Sequence, residues 1–183
     1  MIHLLAAHEV DPAGNALYWV GSVAPDAVSN WKEKEITHYR NLSDRKEAIT
    51  ELAAGTDRNN AFEEGMLLHL FVDWKWDVSV KEEYIARTGE NWFPKYRHEL
   101  GLSSSFAFHH TDWSREIWRQ IDSCDISDYG LVNGATAEEV KELISRNSKW
   151  HHDFNIGPSA AFPPELIESF IDRVVKDYSI WRG

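Results

Sequence analysis

Apolar positions along this chain recur at helical spacing, and clean two-residue alternation is nearly absent. The run "IHLLAAHEV" predicts a short apolar helix that stops near Asp11-Pro12. The stretch "ALYWVGSVAPDAVSNWK" is aromatic, then broken by Gly21 and Pro25, and reads as a turn of helix entering an ordered loop. "LSDRKEAITELAAG" carries a cap at Ser43 or Asp44 and an exit at Gly55. Residues 59 to 80 form the longest strongly apolar segment and predict a central buried helix. "TDWSREIWRQIDS" sets Trp113, Ile117, Trp118 and Ile121 on one face. "TAEEVKELISRNSKWHH" carries a stripe through Val140, Leu143 and Ile144. "PPELIESFIDRVVKDYSIW" starts on proline and aligns Leu166, Phe170, Val174 and Tyr178. The expectation is an all-α protein, a multi-helix bundle formed by residues 1–183 as one domain.

That central helix raises a question of chemistry. "GMLLHLFVDW" is apolar on nearly every side, yet it carries His69 and Asp73. Residues four apart share a helix face, with about 5–6 Å between Cβ atoms. An unpaired buried carboxylate is costly. The pair therefore reads either as an internal hydrogen bond or as two ligands converging on one ion. Taken singly, His3 reads as a satisfied histidine, Asp26 as a cap or turn residue, and His38 says little. Together, these residues lie in apolar or turn surroundings.

Charge narrows the partners. A formal net charge of −11 repels nucleic acid and anionic lipid, so no double-stranded nucleic acid is expected. An anionic substrate needs a local positive centre, which a bound cation can supply. Hydrophobic residues make up 43% and aromatics 13%, which excludes a disordered chain. The single cysteine, Cys124, allows no intramolecular disulfide. No tract approaches the roughly 20 apolar residues of a membrane span, and the first residues lack a signal-peptide pattern. The expectation is a cytoplasmic protein without integral membrane association. Oligomeric state is not readable.

In order, "IHLLAA", "YWVGSVAPDAV", "THYR" and "GMLLHLFVDWKWD" resemble the zinc-dependent phospholipase C family, whose fold also includes zinc-dependent single-strand nucleases. The resemblance covers roughly residues 1 to 80, and its most specific parts are "GSVAPDAV" and the His-x-x-x-Asp helix. It implies a helical bundle of that type and a metal centre in which His38, His69 and Asp73 hold one zinc. His3 and Asp26 contribute to a second, and Asp26 also orients or deprotonates water. Iron, nickel and manganese suit the same ligand types. After Asp73 the chain reads "WKWDVSV", with no histidine before His98. Further ligands would come from "FHHTDW" or "WHHDF". His109 or His110 is favoured because the first pair is expected to open a helix.

The implied activity is metal-dependent hydrolysis of a phosphoester, either a small soluble one or a lipid headgroup. Two metals about 3.5–4 Å apart would favour in-line attack by water at phosphorus. Arg40, two residues after His38, is the candidate bidentate donor to the phosphate. Two other readings stand beside this one. In one, a metal is held without catalysis, stapling helices or sensing a ligand; in the other, no metal binds and the polar residues form a buried network.

Overall fold

The computed structural model describes residues 1–28, 30–126 and 135–183. The helices are α1 (Ile2–Val10), α2 (Ala16–Gly21), α3 (Trp31–Thr37), α4 (Arg45–Gly55), α5 (Ala61–Trp76), α6 (Glu82–Thr88), α7 (Trp92–His110), α8 (Ser114–Ser123), α9 (Ala137–Asp153) and α10 (Pro164–Arg182). A 3₁₀ turn, Ala24–Ala27, follows α2, and a π-helical turn, Asp77–Lys81, joins α5 to α6. Among the described residues no element is a strand, so the all-α class holds. None of their helices is long and apolar enough to cross a membrane.

Local chemistry sets most boundaries where the sequence placed them. The Asn15 side chain accepts the Tyr18 amide at 3.1 Å and starts α2. Asp44, rather than Ser43, caps α4 by accepting the Glu47 amide at 2.8 Å. Thr136 and Glu139 close a reciprocal capping box on α9. Two boundaries differ from expectation. The central helix does not end near Val80, because the π turn carries the helical path on through α6 to Thr88. The "YRHELGLSSSFAFHH" region, which shows no apolar stripe, runs to the end of the 19-residue helix α7.

The core surrounds α5, which buries residues on all sides, including Phe62, Leu67, Leu68, Leu70, Phe71 and Val72. Helix α10 packs on it through Phe71 and Tyr178, whose rings meet edge-on at 5.3 Å. On that helix Ile167 and Ile171 are buried with Phe170, Val174 and Tyr178, and Leu166 is only partly covered. Helix α4 adds a small second cluster of Ile49 and Ala53 against Leu67 and Leu70.

Helices α2 and α5 approach backbone to backbone. A Cβ at Gly21 would stand 2.1 Å from the Phe62 carbonyl oxygen, and one at Gly65 would stand 2.2 Å from that of Tyr18. Any larger residue at either position forces the helices apart. This crossing sets the height of Ser22 and the following 3₁₀ turn beside the His69 face of α5.

Candidate metal centre

Four segments each deliver polar side chains to one place. Helix α1 supplies His3, the 3₁₀ turn supplies Asp26, the end of α3 supplies His38, and α5 supplies His69 and Asp73. His38 follows the last residue of α3, and Tyr39 then takes a left-handed backbone with φ of 55°. A tyrosine in that region costs about 1–2 kcal/mol. The sharp exit buries the His38 ring completely while turning Arg40 toward α5.

The donor atoms of His3, Asp26 and His69 lie within 4.8 Å of one another, and so do those of His38, His69 and Asp73. His69 belongs to both groups, so the five residues make one continuous cluster. His3 stacks on His69 with ring centroids 3.8 Å apart, and its Nε2 lies 3.7 Å from Asp73 Oδ1. The His38 Nε2 is 3.9 Å from Asp26 Oδ1 and 4.0 Å from Asp73 Oδ2. His69 and Asp73 thus do not pair with each other as an isolated hydrogen bond. Each turns to partners from other helices.

The tautomers follow from the neighbours. His69 Nδ1 lies 2.9 Å from the Ser22 carbonyl oxygen, and His38 Nδ1 lies 3.0 Å from that of Lys34. A carbonyl only accepts, so each Nδ1 carries the proton and donates it. The Thr37 hydroxyl, 3.1 Å from His38 Nδ1, is itself 3.3 Å from the same Lys34 carbonyl. Both Nε2 atoms are left with lone pairs, and these face each other at 3.3 Å. Such a contact is unfavourable unless a proton or a cation lies between the nitrogens. Burial opposes the proton: it pushes His38 down to about 4, against the pull of Asp73 and Asp26, and His69 well below its ordinary value. The donor set therefore fits a divalent cation. Backbone carbonyls fix the ring orientations from outside, as outer partners of metal-bound imidazoles do.

The carboxylates stay ionised. Burial alone would raise both, but Lys34, His69 and His3 hold Asp26 far below the usual carboxylate range. Asp73 is held low by His3, Arg40, His38 and His69. The Lys34 ammonium is paired with Asp26 Oδ1. Arg40 donates through Nη2 to Asp73 and through Nε to Asp77 at 2.8 Å. Arg45 joins the same network, with Nη1 2.8 Å from Asp77 Oδ2, and Lys81 Nζ lies 2.9 Å from Asp77 Oδ1.

Two sequence expectations change here. Arg40 is not a free phosphate donor, since its Nε and Nη2 are taken by carboxylates and it serves to position Asp73. His109 and His110 close α7 rather than opening a helix, and neither belongs to the cluster. His109 Nε2 lies 3.0 Å from the His151 carbonyl oxygen and 2.8 Å from that of Phe154, and His110 Nδ1 lies 2.9 Å from that of Phe106. Lys34, Arg45, Asp77 and Lys81 were not anticipated. The only sequence signal for them is basic and acidic residues close to the ligand segments.

The cluster is open on two sides. A cleft of about 140 Å³ runs from His3, Asp26 and Asp73 to aromatic walls that include Trp31, Trp92 and Phe93. Trp31 is 57% exposed and meets the Phe93 ring edge-on at 5.9 Å, so these rings are not core residues. A wider groove of about 780 Å³ leaves the cluster past Lys34. Compared with known protein families, curated proteins and solved structures, the chain matches none.

Proposed function

We propose that the cluster is the centre of a metal-dependent phosphoester hydrolase in a helical bundle of the phospholipase C and single-strand nuclease type. The observation that carries the metal is the pair of Nε2 lone pairs facing each other at 3.3 Å, each ring being locked by a carbonyl at Nδ1. His3, His38, His69, Asp26 and Asp73 would hold the ion. Three imidazoles and two carboxylates suit zinc, with iron, nickel or manganese as alternatives. Two ions, held by the two ligand groups that meet at His69, are the proposed loading. When bound, a divalent cation supplies positive charge to phosphate oxygens and acidity to water.

The chain's own residues supply the rest. Asp26, 37% exposed at the side chain and facing both clefts, would orient the attacking water through Oδ2. Oδ1 is occupied by Lys34. Lys34, rather than Arg40, is the basic side chain placed to meet a phosphate oxygen once its hold on Asp26 is relaxed. The aromatic walls would exclude water from one side of the ester. A small soluble phosphoester or a headgroup is the substrate class, with a cytoplasmic location as part of the same proposal.

The test is hydrolysis of bis-p-nitrophenyl phosphate and p-nitrophenyl phosphate by zinc-loaded protein. Turnover that disappears in His69→Ala and Asp73→Ala supports the reading. A second reading draws on Arg40 and Arg45, which already occupy Asp73 Oδ2. In it the ion only staples α1, α3 and α5. Stoichiometric metal with no turnover of either ester selects that reading and overturns the enzyme.

A further inference from the structure

The wide groove has a charge opposite to that of the chain. Its wall contains His3 and Asp26 of the cluster, then Lys34, Arg97, His98 and Arg146. The whole chain has 30 acidic residues against 19 basic ones, yet Asp26 is the only acidic residue of this wall. Lys34 is already paired with Asp26, so these two charges cancel locally. Arg97 comes from α7 and Arg146 from α9, and both are exposed. Among the described residues neither guanidinium has a carboxylate at ion-pair distance or a hydrogen-bond partner. Their neighbours beside the cluster differ: Arg40 and Arg45 each donate to both Asp73 and Asp77.

We propose that Arg97 and Arg146 bind a second anionic group of the substrate, so that the centre acts on phosphoesters whose other arm is itself negatively charged. The proposal rests on the phosphoester reading of the same cluster and specifies its substrate class. A guanidinium offers a planar pair of donors matched to phosphate or carboxylate oxygens, and two of them in one groove reinforce each other. Net charge decides the alternative. A substrate with a cationic headgroup would meet two uncompensated positive charges and be disfavoured.

Calorimetric titration of zinc-loaded protein with propylphosphonate and with propane-1,3-bisphosphonate tests this. The first probe offers one anion to the metal centre, and the second adds another at the end of a short arm. The bisphosphonate should bind about tenfold tighter or better. Arg97→Gln combined with Arg146→Gln should remove that gain and leave propylphosphonate binding unchanged. Both positions are surface sites, where such substitutions change stability by about 0.5 kcal/mol or less. Equal affinity of the two probes for the wild type overturns the second-anion site and leaves the phosphoester reading standing. A gain that persists in the double variant overturns the assignment to these arginines. Failure of both probes to bind overturns the phosphoester reading together with the inference.

Discussion

Two regions of this molecule are rich in histidine, and they differ in every feature that matters to a metal. Around α5, His3, His38 and His69 converge with Asp26 and Asp73, and two rings present lone pairs to each other. At the ends of α7 and α9, His109 and His110 are spent on backbone carbonyls, and the buried His151 ring lies among aromatic faces with its Nδ1 unpartnered. His151 stacks on Phe108 at 5.2 Å and is tilted over Trp118 at the same distance. No carboxylate joins them in a cluster of ligand geometry among the described residues. The difference teaches that histidine content says little. What makes a centre is an outer hydrogen bond that turns a ring nitrogen inward together with carboxylates within ligand distance, which the unpartnered Nδ1 of His151 lacks.

The comparison is broken most directly by exchanging the two regions as targets of substitution. His69→Ala should abolish metal retention and hydrolysis, because His69 belongs to both ligand groups. The loss should exceed the roughly 10–100-fold seen for outer-shell partners. His109→Ala should leave metal content unchanged. Retention of metal by His69→Ala, read by elemental analysis, would erase the distinction.

Acid sharpens it next. His38 is pushed down to about 4 and His151 to about 2, burial being the larger cause in both, so each is neutral in the fold and titrates near 6.5 when unfolded. Between pH 6.5 and about 4 the unfolded chain binds more protons, so stability is full above 6.5 and falls as pH drops. The slope is about 1.4 kcal/mol per pH unit for each such histidine. Denaturant titration of metal-free protein at several pH values reads it. Adding zinc should widen the difference in the α5 region alone, so His38→Ala should remove the zinc effect and His151→Ala should not.

Gly65→Ala should follow at about 1–3 kcal/mol or more, because the new methyl meets backbone atoms of α2. It should also weaken metal binding by shifting the Ser22 carbonyl away from His69. A stability loss with unchanged metal affinity would show that this crossing does not position the centre. Arg40→Ala should weaken metal affinity by about 10–100-fold through Asp73, with Arg40→Lys recovering part of it. The smallest effect is His109→Ala itself, about 1 kcal/mol from its carbonyl hydrogen bonds.

Much of this was legible in the chain. The helical class followed from apolar spacing, and the His69–Asp73 pair from its four-residue interval on an apolar helix. Helix α7 was not legible, because its interior packs through small residues. Ser103 donates to the Phe162 carbonyl at 2.7 Å and Ser105 to that of Phe154 at 2.8 Å. Polar side chains buried in this way leave no apolar stripe, and without that helix His109 and His110 read as opening an element. Gly21 read as a break, and α2 does end there, but the close contact it makes with α5 left no mark in the local pattern. Arg40 read as a phosphate donor because its distance along the chain from His38 is two residues. Its partners Asp73 and Asp77 lie 33 and 37 residues away, and no local pattern reports such pairs.

The central claim is that the facing Nε2 atoms of His38 and His69 receive a cation. X-ray absorption at the zinc edge of zinc-loaded protein in solution addresses it directly. The account predicts a shell of imidazole nitrogens with carboxylate oxygens, lost in His69→Ala. A shell made of water oxygens, or a spectrum unchanged by His69→Ala, would contradict it.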